Sequence, residues 1–253
     1  MLELARRHPR SGYRLVTKLL RREGWQVNRK RIYRLWRQEG LQVRRRVRKR
    51  RRLGQSANGI VRRRPQFVGD VWGLDFIHDE TTDGRRLRWL SVLDEYSRYN
   101  LALEVERHFL AVDVIRVLER LIAHWGPPQH MRFDNGPEFI AKALRGWLER
   151  NGIGALYIAP GSPWENGYTE SFHGTVRAEL LEVEAFTSPL EAKVLTKDFR
   201  QRYNHERPHT ALDDRTPAEF VASQENSLHR RPQSAPNEVA RGIGTPEITV
   251  RLS

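Results

Sequence analysis

The chain has 253 residues, 45 Lys and Arg against 31 Asp and Glu for a net charge of +14, and no cysteine. The lack of cysteine excludes a disulfide scaffold, a thiol nucleophile and cysteine-ligated zinc or iron–sulfur sites, so any metal must sit on oxygen or imidazole. No apolar run approaches the ~18 residues that cross a bilayer, and the Arg-rich N-terminus has no apolar segment behind it, so the expectation is a cytoplasmic protein with no membrane partner.

The charge is divided unevenly. Residues Met1 to Gln66 hold 23 of the Lys and Arg and three acids (Glu3, Glu23, Glu39), a net +20, which leaves 22 basic and 28 acidic residues beyond them, a net −6. Such asymmetry points to a polyanion held by the N-terminal part, because Lys and Arg that neutralise phosphates release condensed counterions. Leu15, Val16, Leu19, Leu20, Ile32, Leu35 and Trp36 stand at helical spacing within this basic stretch, so it reads as a folded nucleic-acid-binding module rather than a solvated tail.

In chain order, Ser11 reads as the N-cap of a first helix through Leu15 and Leu19, with Gly24 as its stop. Asn28 reads as the cap of a second helix through Ile32, Leu35 and Trp36 that ends at Gly40, and the pair reads as helix-turn-helix. The second helix carries Arg29, Arg31 and Arg34 near its start, where a recognition helix meets base edges. The run Arg44, Arg45, Arg46 to Arg52 holds eight positive charges in nine residues and reads as a phosphate-contacting segment. This gives a basic helix-turn-helix region over residues 1–52 and a linker over 53–66.

From Phe67 the pattern becomes that of an α/β domain. Strands are expected over Val71–His78, Leu87–Leu93 and Tyr99–Val105, then a helix over Ala111–Trp125, a strand His130–Phe133, a helix from Pro137 to Arg150, and a strand Ile153–Ile158. Helices over about 168–182 and 188–204 follow a Gly/Pro-rich loop. The order implies a mixed sheet flanked by helices over residues 67–223. Residues 224–253 read as a poorly ordered tail in which Ile248–Val250 could add a short strand.

Three carboxylates stand out. Asp75 lies inside an otherwise apolar strand and needs a partner there. Asp134 follows a strand end, where Asp134-Asn135-Gly136 is equally an ordinary turn signal. Glu170 opens a helix that has Phe172, Val176 and Leu180 on one side. Thirty-five residues separate Asp134 from Glu170.

Several ordered blocks carry a family likeness: Trp72-Gly73-Leu74-Asp75-Phe76, Val92-Leu93-Asp94-Glu95-Tyr96-Ser97-Arg98, Arg132-Phe133-Asp134-Asn135-Gly136-Pro137-Glu138-Phe139 and Pro160 to Phe172. Further blocks are Tyr203-Asn204-His205-Glu206-Arg207-Pro208-His209 and Thr216-Pro217-Ala218-Glu219-Phe220. Over roughly residues 8–221 the chain resembles the insertion-sequence transposases of the OrfB type, whose catalytic core is shared with retroviral integrases. The resemblance implies an RNase H-like α/β core behind a small all-α helix-turn-helix domain, and a DDE enzyme of DNA cleavage and strand transfer at element ends. It places Asp75, Asp134 and Glu170 in the catalytic, metal-binding triad. It further implies double-stranded DNA as partner, a homo-oligomer on that DNA, and a product of an upstream frame that would leave this chain incomplete.

The residue types suit that chemistry. Carboxylates about 4 Å apart repel by roughly 4 kcal/mol per pair at an effective dielectric near 20. Oxygen ligands then call for Mg²⁺ or Mn²⁺, and two such ions serve an in-line displacement at phosphorus. His173 and Arg177 share a helix face with Glu170 and are expected to meet a DNA phosphate, whereas Asp94, Glu138 and Glu165 are expected to be structural. Two alternatives stay open: a regulatory or inactive DNA-binding protein from a decayed element, and an RNase H-type nuclease.

Overall fold

The structure is a computed structural model that describes residues 1–42, 63–134, 136–158 and 166–228. Three helices open the chain: α1 (Leu2–Arg7), α2 (Tyr13–Arg22) and α3 (Arg29–Gln38). Leu4, Val16, Leu19, Leu20, Ile32 and Trp36 are buried against one another, so these helices carry a core of their own. Asn28 caps α3 as expected, its Oδ1 accepting from the Lys30 amide at 2.8 Å. Gly24 and Gly40 follow α2 and α3 at φ +88° and +67°, the left-handed region that favours glycine after a helix.

Two expectations fail in this region. The first is the Ser11 cap: Gly12 is the N-cap of α2, and the Ser11 hydroxyl donates instead to Glu179 Oε1 at 3.1 Å, so a tertiary acid outcompetes the local amide. The second is helix number, because α1 is six residues long, too short to show a period. The expected phosphate-contacting run with Arg44, Arg45 and Arg46, most of the linker and the 248–250 strand lie outside the described residues.

The core is a five-stranded sheet in the order β3-β2-β1-β4-β5. β1 (Val71–Glu80), β2 (Arg86–Asp94) and β3 (Asn100–Glu106) form an antiparallel meander, and β4 (His130–Phe133) and β5 (Gly154–Tyr157) run parallel to β1. The long connections that parallel strands require are supplied by α4 (Ala111–Trp125), α5 (Pro137–Ile140) and α6 (Lys142–Arg150). The chain continues through α7 (Gly167–Val176), a π-helical turn (Arg177–Leu181), α8 (Pro189–His205) and α9 (Pro217–Leu228).

Alternation along β1 sorts two cores. Trp72 and Leu74 face a layer with Leu118, Phe133, Phe139 and Trp147. Ile77 faces the opposite layer with Trp89, Phe172, Val176, Phe186 and Phe199. Both faces are thus covered, by α4 to α6 on one side and by α7 and α8 on the other. This explains why β1 and β2 read as near-continuous apolar runs.

Three further differences from the sequence reading have local causes. The helix after Pro137 breaks at Ala141, which is extended at ψ 136°. The break lets Phe139 stack on Phe76 and Phe133 at 5.2 and 5.4 Å while Leu144, Trp147 and Leu148 of α6 bury separately. Next, α7 passes into a π turn instead of ending near residue 182 as a regular helix. Lastly, α9 extends to Leu228, past the expected end of the ordered core at 223. Among the described residues, no helix is long and apolar enough to cross a membrane.

The N-terminal helices meet the core through polar contacts. Arg10 pairs with Glu182 at 3.4 Å, Lys18 with Asp214 at 2.5 Å, and Arg22 with Glu219.

Candidate active site

Strand alternation that turns Trp72 and Leu74 to one layer turns Gly73, Asp75 and Ile77 to the other, under α7. β1 and β4 pair with Val71 opposite His130 and Gly73 opposite Arg132. Two more steps of that register bring Asp75 level with Asp134, just past the end of β4. The third acid, Glu170, sits exposed in the first turn of α7.

The approach of α7 depends on Gly73. A Cβ there would lie 2.6 Å from Thr169 Oγ1 and 3.3 Å from Glu95 Oε1, so a side chain would push the helix bearing Glu170 away from β1. Beneath it Glu95 is fully buried and pairs with Arg132 Nε at 3.0 Å, while Arg132 Nη2 donates to the Arg63 carbonyl at 2.7 Å. Sequence reading missed this pair. The signal was there, since an arginine between Met131 and Phe133 in a four-residue apolar strand must find an acid.

Asp75 is held on both oxygens. Oδ1 accepts from the Phe76 amide at 2.7 Å and Oδ2 from Asn166 Nδ2 at 3.1 Å. Burial pushes the Asp75 carboxyl up to about 6, helped by the charges of Asp134 and Glu170 and opposed by the two hydrogen bonds. The three acids are therefore in electrostatic range, although among the described residues no three His, Asp or Glu side chains already form a metal cage. Asp134, exposed, closes the turn that its own neighbours predict, with Oδ1 accepting from the Gly136 amide at 2.9 Å.

His173 is turned inward. Ser91, opposite Asp75 in the β1–β2 register, donates its hydroxyl to the Asp75 carbonyl at 3.1 Å, so its oxygen takes a hydrogen bond from His173 Nε2 at 2.8 Å. Nδ1 then presents a lone pair 3.6 Å from Asp75 Oδ2. This contact is not an ion pair, because burial and then the Arg177 charge push His173 down to about 3 and keep the ring neutral. Arg177, expected beside it as a phosphate contact, is exposed, as are Arg29, Arg31 and Arg34 on α3.

The competing acids resolve structurally. Asp94 accepts from the Gly69 amide and from the amide and hydroxyl of Ser97, and Glu138 pairs with Arg88 at 2.6 Å. Glu165 lies outside the described residues.

The donor set fits a hard divalent cation. Asp75, Asp134 and Glu170 offer carboxylate oxygens in electrostatic range of one another, and the buried Asn166 Oδ1 has no hydrogen-bond partner among the described residues.

Known proteins resemble this chain in sequence and in fold. Residues 66–163 and 151–217 match two integrase core domain families, and residues 1–50 match an HTH-like domain. A 31.7 kDa protein of insertion element IS407 from Burkholderia multivorans is 38% identical over 236 residues, covering 93% of this chain and 82% of the relative. A 39.2 kDa protein of insertion element IS476 from Xanthomonas euvesicatoria is 37% identical over 223 residues, covering 88% of this chain. The present chain spans just under two thirds of that relative, 64%. The transposase InsD of insertion element IS2 from Escherichia coli is 28% identical over 229 residues, covering 84% of this chain and 74% of the relative. In fold, the HTLV-2 integrase catalytic core domain, solved in complex with magnesium, superposes at a TM-score of 0.51 and 16% identity over 62% of this chain and 99% of that domain. The chain belongs to the OrfB-type insertion-sequence transposases, which join an HTH-like module to an integrase core domain.

Proposed function

We propose that the protein is a metal-dependent transposase that cuts duplex DNA at the ends of an insertion element and joins the freed 3′ end to a target. The observation that carries this reading is the parallel β1–β4 register, which brings Asp75 level with Asp134 beneath the helix of Glu170. Asp75, Asp134 and Glu170 would hold two Mg²⁺ or Mn²⁺ ions. Bound there, such ions activate the attacking oxygen and stabilise the leaving oxygen at phosphorus.

The protein's own groups prepare the centre. Phe76 N and Asn166 fix the Asp75 carboxylate, Gly73 lets α7 bring Glu170 in, and Ser91 orients His173 beside Asp75. His173 is thereby a support of Asp75, which leaves Arg177 as the phosphate contact on α7. Arg29, Arg31 and Arg34 on the exposed side of α3 read the element ends, and Arg44, Arg45 and Arg46 add sequence-independent phosphate attraction.

The test is strand cleavage and joining on duplexes carrying the element's ends with Mg²⁺. Asp75→Asn, Asp134→Asn and Glu170→Gln should each cut the rate by roughly 10³-fold or more, several kcal/mol of lost charge stabilisation, with DNA binding and melting retained. Near-native activity in any of the three would remove that residue from the triad.

A further inference from the structure

A cavity of about 550 Å³ lies on the other side of α7, at the seam between the N-terminal helices and the core. At 100° per residue, its lining residues Gly167, Tyr168, Ser171 and Thr175 face away from the stripe of Asn166, Glu170 and His173. It is therefore separate from the catalytic centre. Arg14 and Lys18 of α2, Arg98, and the segment Arg207 to Thr210 line it, and no acid is among its described lining residues.

Two of its four cations are already balanced by acids outside the cavity, Lys18 by Asp214 and Arg207 by Glu179. Arg98 is different. Its guanidinium lies 3.6 Å over the Tyr168 ring, and its Nη1 is buried with no hydrogen-bond partner among the described residues. Asp94 feels its charge but is already bonded to Gly69 and Ser97. Arg98 also holds a left-handed backbone, φ 62°, which is uncommon away from glycine and concentrates where function over-determines the chain. His209 is also in the lining, and its Nε2 is likewise buried without a hydrogen-bond partner among the described residues. Burial, then Arg207, Arg98 and Lys18 in turn, all push His209 down, and of these three cations Arg98 has no ion pair with an acid among the described residues.

A buried donor without a partner, a second such nitrogen in the same lining, hydroxyls of Ser171 and Thr175, and aromatic rings of Tyr168 and Tyr203 together suit a phosphate carried by a nucleotide. We propose that this seam cavity is a phosphate-binding pocket, and that its ligand is a backbone phosphate of bound DNA. The DNA source rests on the transposase reading above. Because α2 and the core both line the pocket, an occupied pocket also fixes the N-terminal module against the core while DNA is engaged.

The experiment uses the full chain, a labelled DNA duplex followed by fluorescence anisotropy between about 50 and 200 mM salt, and inorganic pyrophosphate followed by thermal melting. Arg98→Gln removes the unpartnered donor. Ser171→Trp fills the cavity from an exposed position without changing charge, and so tests the pocket even if the first variant folds poorly. Arg150→Gln removes an equal charge from the exposed end of α6 as control. Arg98→Gln and Ser171→Trp should each weaken duplex binding by about fivefold or more, and Arg98→Gln should lower the salt slope by about one contact, with Arg150→Gln nearly unchanged. Equal losses for Arg98→Gln and Arg150→Gln with none for Ser171→Trp would mean diffuse attraction and overturn the pocket. An Arg98-dependent rise in melting temperature with pyrophosphate, without any change in DNA affinity, would overturn DNA as the source. A wild-type chain that joins strands while both pocket variants bind normally would sink the pocket alone. A wild-type chain that fails to bind DNA would sink both readings.

Discussion

Asp75 and the N-terminal helices are held in opposite ways. Around Asp75 the partners are buried: Glu95 and Arg132 are at most 5% exposed, and Gly73 admits α7 with no room for a methyl group. Across the seam the partners are half in water: Arg22 and Glu219 are 34% and 46% exposed, and Arg10 and Glu182 are 42% and 38%. The apolar clusters of module and core stay separate. Close packing fixes geometry to a fraction of an ångström, as a catalytic centre needs. Exposed ion pairs contribute little and yield to competing ions, as suits a module that adjusts to DNA on the function proposed above.

That contrast breaks most visibly at the buried pair. Arg132→Met should destabilise the fold by about 3–5 kcal/mol, because it strands the Glu95 carboxylate inside the protein. Urea unfolding measures it, and a loss below 1 kcal/mol would mean that the centre is not set by burial.

A second effect concerns pH in the metal-free protein. The folded carboxyl of Asp75 is raised to about 6 from an ordinary value of 3.8. Its neutral form is therefore favoured by folding, and that contribution is complete below pH 4 and lost as pH rises through 6. Wild type should accordingly lose roughly 2 kcal/mol relative to Asp75→Asn between pH 4 and 6.5. Parallel stability curves for the two proteins would remove the desolvation argument.

Gly73→Ala should cost about 1–3 kcal/mol of stability through overpacking. Its signature is a larger proportional loss of strand joining than of DNA binding, since α7 carries Glu170. If melting and joining both stayed native, Gly73 would not set the approach of α7.

The smallest effect lies at the seam. Arg22→Ala should change global stability by only about 0.2–1 kcal/mol, and the difference should vanish in high salt. Proteolysis of the N-terminal module at low and high salt would sharpen the comparison; cleavage insensitive to both salt and the variant would show that the seam is not ionic.

The strand positions were legible because each buries a defined set of apolar side chains: β4 begins and ends where its Met131 and Phe133 require, and α4 follows its apolar stripe from Ala111 to Trp125. Asn28 and Gly40 were legible because caps are local chemistry. Ser11 was misread because its hydroxyl is taken by Glu179, 168 positions away. No local rule contains that competitor.

The sequence by itself therefore determined the basic and acidic halves, the αβ order and the three acids worth attention, since composition and periodicity are properties of the chain. Only the tertiary structure decided that Gly73 faces Thr169, that Arg132 ends on Glu95, that His173 lies beside Asp75, and that Arg98 meets Tyr168 in a cavity that His209 also lines. Each of these contacts joins residues more than thirty positions apart, where proximity is set by sheet register and helix packing rather than by anything written between them.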